Sequence, residues 1–371
     1  MEQKTIYKNI LCIRADNMGD VLMSSPALRA LKESFPCHIT LLTSRMGSLI
    51  TSFIPEIDNV LVADLPWVKT ESFPSRESCQ ELIAQLRGHK FDLAVIFTVY
   101  SQSPLPAAFL CLLAGIPERL AYCRENPYQL LTKWIPDQEP YAFIRHQVDR
   151  DLQLVGFIGA HTIDDRLHVT YSTNARITAR EKLAAIGVDL SMDWIVLHPG
   201  VSEKKREYPL SLWAVAARLI RRETGIQLVI TGSSMDVAKA EELAGAVVDN
   251  IYVTAGLLTV EEFIAVIAES KLVISVNTAT VHVAAAVGTP VAVLYAQTNP
   301  QHTPWKIPSE VLQFSVNEAE RSRNEVIRHV NDSLYNDDMP FPDPEAILNA
   351  VSNLLSHLPT ATQYGLHTEQ A

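Results

Sequence analysis

The chain has 371 residues, 47% hydrophobic and 20% charged, which excludes a disordered protein and allows two domains with full cores. Its formal net charge of −11 excludes a general nucleic-acid binder, which needs a basic face, and leaves room for a local basic pocket. The five cysteines, Cys12, Cys37, Cys79, Cys111 and Cys123, form no Cys-x-x-Cys pair and suit reduced thiols in a cytosolic protein rather than a disulfide frame. The first residues lack the apolar core of a signal peptide. The longest apolar stretch, 105–116, is too short to span a bilayer. These features predict a soluble cytoplasmic protein that can still touch a membrane surface.

Residues 9–13 read as a buried strand, ended by the polar loop Arg14-Ala15-Asp16-Asn17-Met18-Gly19-Asp20. The spacing of Val21, Leu22, Ala27, Leu28 and Leu31 predicts one helix over 21–35, with Pro26 near its first turn. Strands follow at 38–43 and 59–63, then a helix at 76–87 and a strand at 91–97. Strand–helix alternation with short loops means βαβ units and a parallel sheet. Residues 117–150 are rich in Arg, Pro and aromatics, and part of this stretch reads as irregular and exposed. A helix over 146–158, a short edge strand at 168–171 and a linker near 163–178 follow.

The second half repeats the architecture. Strands are predicted at 194–198, 226–231, 250–253, 271–274 and 291–295. Helices are predicted at 209–224, 235–244, 259–269 and 344–358. Thr259 with Glu262 forms a capping-box signature. The expected domains are 1–175 and 176–358, with a flexible polar tail over 359–371. The fold class is α/β, with the carboxyl ends of two parallel sheets facing across a cleft.

The stretch Ser275-Val276-Asn277-Thr278-Ala279-Thr280-Val281-His282 joins a buried strand to an Ala-rich helix. Such a turn presents free N–H groups at the positive end of a helix dipole, a site for phosphate, although an ordinary capped turn has the same sequence. His282 suits the same site or a buried structural role. Asp20 lies at a helix start after the first strand, as a dipole-favoured carboxylate or as a general base at the cleft rim. Lys204-Lys205-Arg206 follows His198-Pro199-Gly200 in the equivalent loop of the second half. These cations form a solvated loop or neutralise a leaving phosphate. No G-x-G-x-x-G follows a strand, no P-loop exists, and no His/Cys cluster marks a metal site.

The segments from Ile10 to Leu31, His146 to Arg150, His198 to Gly200, Arg206 to Pro209 and Asn277 to Pro300 together resemble glycosyltransferase family 9, the heptosyltransferases. The resemblance covers most of residues 8–306. It implies a GT-B fold of two Rossmann-like domains and a metal-independent, inverting transfer from a nucleotide-sugar donor. No cofactor is implied beyond that donor, which is expected to be ADP-linked. The expected acceptor is a lipid-linked or glycan chain of lipopolysaccharide or cell-envelope biosynthesis, met at the inner membrane surface, with no nucleic acid as partner. By position, Asp20 matches the family's proposed base and Arg206 its phosphate-binding lysine, with Lys205 beside it. Asn277, Thr278, Ala279, Thr280 and His282 match its Asp-Thr/Ser-Gly-x-x-His donor loop. Asn277 and Ala279 stand where the family has Asp and Gly. Ser234 stands where a heptosyltransferase has a glutamate thought to hold the donor ribose. These departures are expected to shift the choice of sugar. Arg119, Arg124 and Arg145, with Lys133 and Arg150, are expected to meet an acceptor bearing phosphate or carboxylate. A sugar-nucleotide epimerase or a silent nucleotide-sugar binder are the alternative readings.

Overall fold

The computed structural model describes residues 6–68, 73–247, 250–335 and 338–358. The first half runs β1 (Asn9–Ile13), α1 (Met18–Met23), α2 (Ser25–Ser34), β2 (His38–Thr43), α3 (Arg45–Ser48), β3 (Asn59–Val62), α4 (Arg76–His89), β4 (Leu93–Ile96), α5 (Leu105–Leu113), β5 (Glu118–Cys123), β6 (Lys133–Pro136) and α6 (Gln147–Gly156). The second runs α7 (Thr173–Ala185), β7 (Trp194–His198), α8 (Leu210–Thr224), β8 (Gln227–Ile230), α9 (Val237–Val247), β9 (Ile251–Val253), α10 (Val260–Ala268), β10 (Leu272–Val276), α11 (Ala279–Val287), β11 (Val291–Ala296), β12 (Ser309–Phe314), α12 (Glu325–Leu334) and α13 (Pro344–Ser356).

The strands form two sheets, ordered β3-β2-β1-β4-β5-β6 and β12-β11-β10-β7-β8-β9. Every pairing is parallel. Parallel strands are covered on both faces and need continuous apolar sequence. The central runs Ile10-Leu11-Cys12 and Leu272-Val273-Ile274 supply it and are fully buried. In each sheet the chain order reverses beside the first strand. The switch points therefore lie between β1 and β4, and between β7 and β10, where open α/β sheets bind ligands. One apolar cluster runs unbroken from Ile10 and Val21 through Val281 and Ala284 to Val293, so the two halves share a core.

Several elements differ from the sequence reading. The helix expected over 21–35 is two, α1 and α2, broken at Ser24. Pro26 has no N–H to continue the helix, and the Ser24 hydroxyl instead donates to Asp151 Oδ2 at 2.6 Å. Part of 117–150 is irregular, at 124–132 and 137–146, but the stretch also holds β5, buried from Arg119 to Cys123, and the edge strand β6. Their arginines disguised them, because Arg119 and Arg150 are internal. Residues 168–171 form no strand, and Thr170 N–H reaches the Phe53 carbonyl instead. The stretch read as linker contains the start of α7, capped by Ser172. The boundary placed at 175/176 falls inside α7, which packs on α10 through Lys182–Glu262 and Arg180–Glu269 pairs. The sequence reading did not include β12 or α12. The capping box is present: Thr259 Oγ1 accepts from Glu262 N–H, and Glu262 Oε2 accepts from Thr259 N–H. The tail expected over 359–371 lies outside the described residues.

Arg150 joins α6 to the segment after β6. Its guanidinium donates to Asp137 and Glu139 at 2.6–2.9 Å and to the Thr98 carbonyl at 2.9 Å. All three side chains are nearly or fully buried. Removing one partner of a buried pair strands the other charge. Arg150→Met is therefore expected to cost about 3–5 kcal/mol in chemical denaturation. Lys133→Met, which breaks a partly exposed pair with Glu118, should cost less than about 1 kcal/mol. Equal losses in the two variants would contradict this account.

Candidate active site

The first half of the site is built on Arg14. Its backbone N–H bonds the Leu42 carbonyl, which extends β1 by one residue. The guanidinium is fully buried beneath the loop that follows. Its Nη2 donates to Asp20 Oδ1 at 3.1 Å, and its Nε lies 3.2 Å from Asp16 Oδ2. Asp20 occupies the third position of α1 and accepts the Asn17 N–H at 3.2 Å. Burial disfavours its charge, but Arg14 and the Asn17 N–H outweigh burial and hold the carboxyl below its ordinary range. Asp16 accepts from Gln102 Nε2 at 2.6 Å. Burial, opposed by Arg14 and reinforced by Asp20, raises its pKa.

The second half of the site is the turn between β10 and α11. Thr278 is the N-cap, and its side chain makes no capping bond to the first turn. The Ala279 and Thr280 amides therefore stand without a side-chain cap at the positive end of the helix dipole, while the Val281 N–H donates to the Thr278 carbonyl. Arg206 Nη1 donates to the Asn277 carbonyl at 3.1 Å. Glu203 lies 3.3 Å from Arg206 and 3.2 Å from Lys205. Two polar atoms here are buried without a partner among the described residues, Arg206 Nε and His282 Nδ1. Burial, with the positive fields of His302 and His146, pushes the His282 pKa down to about 3. Burial likewise pushes His302 down to about 4.

The halves meet at Gly19. A Cβ there would stand 3.0 Å from His282 Cδ2 and 3.2 Å from Ala279 Cα. Glycine lets α1 lie on the first turn of α11, which brings Asp20 beside the phosphate-type turn. His302, from the loop after β11, lies with Nε2 3.7 Å from Asp20 Oδ1.

The structure thus gathers Asp20, Arg206, Thr278, Ala279 and His282 around one point, with Lys205 beside Arg206. Thr280 is buried in the first turn of α11. Ser234 is exposed at the start of the turn after β8 and touches Gly256. The Asn277 side chain faces β11. Its amide donates to the Ala296 carbonyl at 3.2 Å and to Thr298 Oγ1 at 3.1 Å, and its oxygen accepts the Ala296 N–H at 3.2 Å. Its nitrogen is spent on the fold.

The expected basic acceptor surface does not form. Arg119 is buried, and its guanidinium donates to the carbonyls of Ile116, Pro117, Gln129 and Leu130. Arg124 donates to the Tyr100 and Glu139 carbonyls at 2.7 Å. Arg145 stacks on Phe143 and faces Glu139. Lys133 pairs with Glu118 on the edge strand. These cations brace the chain around residues 116–145 instead of gathering at a cleft. Sequence reasoning missed Arg14, Asp16 and His302 as site residues. The available signal was a cation closing a buried strand, followed by two carboxylates, with a histidine in a strand-end loop.

A cavity of about 260 Å³ opens at the β1/β4 switch point, lined by Asp16, Trp67, Phe97, Thr98, Ser101 and Gln102 among others. Together with the turn at the β7/β10 switch point, it defines a two-site α/β enzyme of the GT-B class. Residues 79–331 match the model of glycosyltransferase family 9 (heptosyltransferase), and the chain belongs to that family and is a glycosyltransferase. It is 26% identical over 303 residues to lipopolysaccharide heptosyltransferase 3 of Escherichia coli K12, covering 80% of this chain and 84% of the relative. The family 9 glycosyl transferase of Veillonella parvula superposes with a TM-score of 0.76 at 19% identity, over 96% and 99% of the two chains. The E. coli ADP-heptose lps heptosyltransferase II does so with 0.68 at 21%, over 94% and 98%. Among the described residues no helix is long and apolar enough to cross a membrane. None of their His, Cys, Asp and Glu side chains form a metal-holding group of three or more.

His282 makes stability depend on pH. Its folded pKa of about 3 lies below the ordinary 6.5. The unfolded chain therefore binds the extra proton. The stabilisation is complete above pH 6.5 and is lost as the pH falls toward the folded value, by about 1.4 kcal/mol per pH unit. Unfolding measured from pH 7 to pH 4.5 should be at least this steep, because burial also holds His198 and His302 down to about 4 and both add to the slope. His282→Leu should flatten it by about one proton, and an unchanged slope would mean that His282 is protonated in the fold.

Proposed function

We propose that the chain transfers a heptose or related sugar from an ADP-linked donor to a lipopolysaccharide or other cell-envelope glycan, with inversion and without a metal. The observation that carries this reading is the pair of orphaned buried atoms, Arg206 Nε and His282 Nδ1, at the N-terminus of α11. Buried polar groups without partners in a folded protein call for a ligand that supplies them. A diphosphate offers acceptor oxygens to both, and the helix terminus favours its charge. The names of the relatives support heptose as the sugar, ADP as its carrier and lipopolysaccharide as the acceptor class. The enzyme works in the cytoplasm against the inner membrane surface, where a lipid-linked acceptor is presented.

In the reaction an acceptor hydroxyl oxygen attacks the anomeric carbon from the face opposite the diphosphate. The bond from that carbon to the phosphate oxygen breaks, and its electron pair leaves with the nucleotide diphosphate. The hydroxyl proton passes to Asp20. A carboxylate held ionised by Arg14 is a weak base, so the proton moves as the new C–O bond forms and the hydroxyl becomes acidic. Arg206, Lys205 and the α11 amides stabilise the leaving charge. A single displacement inverts the anomeric centre.

Asp20→Asn keeps the shape and removes the proton acceptor. Turnover with saturating acceptor should fall ~10²–10⁴-fold, with ADP affinity nearly unchanged in calorimetry. Full activity would remove Asp20 from the mechanism. Arg206→Ala should weaken ADP more than adenosine, and Lys205→Ala less so. Equal, small losses in both variants would reduce the basic loop to a solvated surface.

A further inference from the structure

We infer that the cavity between the ends of β1 and β4 holds the acceptor's reacting residue, and that it selects an uncharged sugar ring over one bearing phosphate or carboxylate. This rests on the transferase reading above and specifies its acceptor. The cavity occupies the switch point of the first sheet, the position that the donor turn occupies in the second. Its volume of about 260 Å³ suits a single ring. Trp67 and Phe97 give it apolar faces on which the C–H face of a sugar can lie. Asp16, Thr98, Ser101, Gln102 and Ser103 supply polar groups for hydroxyls.

The electrostatics set the selectivity. No cation lines the cavity among the described residues. Arg14 lies behind its wall and is already shared by Asp16 and Asp20. One positive charge against two negative ones leaves the floor net negative. Ser103 donates to Glu125 at 3.0 Å, which places a further carboxylate near the rim. The arginines that would have welcomed an anion are committed to carbonyls and carboxylates elsewhere. A second negative group in the cavity would face Asp16 without a counter-charge among the described residues, whereas a hydroxyl can donate to Asp16 and accept from Gln102. The same carboxylate reaches Arg14, whose other arm holds Asp20. A ring bound to Asp16 therefore lies next to the base.

The test uses the full chain and three probes with one ring: methyl α-D-glucopyranoside, its 6-phosphate and methyl α-D-glucuronide. Saturation-transfer NMR reads binding without turnover, and nucleotide diphosphate release from ADP-heptose reads transfer. The uncharged glycoside should bind at least tenfold more tightly than either anion. Trp67→Ala, at a partly exposed wall position, should weaken the uncharged glycoside while leaving the thermal midpoint in place. Asp16→Asn should narrow the gap between uncharged and anionic probes. Tighter binding of the phosphate or the glucuronide, or a gap indifferent to Asp16→Asn in a folded variant, would overturn the inference. Failure to release nucleotide diphosphate with any acceptor, while the neutral ring still binds selectively, would instead count against the transferase reading.

Discussion

A single buried guanidinium organises the ligand end of the first sheet. Arg14 ends the central strand of the first sheet, has no exposure and lies within ion-pair distance of Asp16 and Asp20. Asp151, one layer further in, feels the same charge. Burying an arginine is costly unless its charge is matched. Conversely, burial pushes Asp151 up to about 6 even with Arg14 and two hydrogen-bond donors beside it. The cation and its carboxylates are therefore mutually necessary. Without Arg14, like charges would crowd one strand end and Asp20 would lose the charge that keeps it ionised. The chemistry assigned to Asp20 thus begins with the residue that closes β1.

The second constraint is contact between the two sheets' ligand ends. Both have the same strand order, so both offer a crevice at a switch point. What sets the crevices against each other is the loop after β11. Gln301 is fully buried, accepts the Tyr100 N–H at 3.4 Å and donates to Glu139 at 3.4 Å. His146 Nε2 lies 2.9 Å from the Thr303 carbonyl, and Trp305 Nε1 donates to the Asp165 carbonyl at 2.8 Å. These bonds carry His302 to Asp20, while Gly19 removes the side chain that would hold α1 off α11. A loop of the second half is thus part of the wall around Asp20.

Much of this was legible in the sequence because parallel sheets leave a strong imprint. Buried strands such as Val291–Ala296 are unbroken apolar runs, and the capping box at Thr259 is a local signal with a local cause. Asp20 and the 277–282 turn stood out because strand ends are where such sheets bind ligands, and the fold places the two side by side. The failures around residues 117–150 share one cause. Sequence reasoning treats charge as surface, and here Arg14, Arg119 and Arg150 are internal. That error hid β5 and created an acceptor surface from cations that are structural. The break at Ser24 was missed for a different reason: a proline near a first turn is compatible with one helix or with the start of a second. Tertiary pairing of Ser24 with Asp151 accompanies the second outcome.

The donor end shows how one substitution can be absorbed. At position 277 the asparagine spends both amide hydrogens on Ala296 and Thr298 and takes back the Ala296 N–H. A carboxylate there would keep the last bond and set a negative oxygen against the Ala296 carbonyl. Asparagine therefore holds β10 to β11 more completely, and it does so without charge. The cations nearby, Lys205 and Arg206, then have Glu203 as their carboxylate partner in this loop. Glu203 is partly exposed, and exposed pairs contribute little to stability. Exchanging it for a diphosphate costs little, while the phosphate gains two cations and a helix terminus. An asparagine in place of a carboxylate is therefore a change in how the turn is fastened, and it leaves the positive charge of this loop uncancelled at position 277.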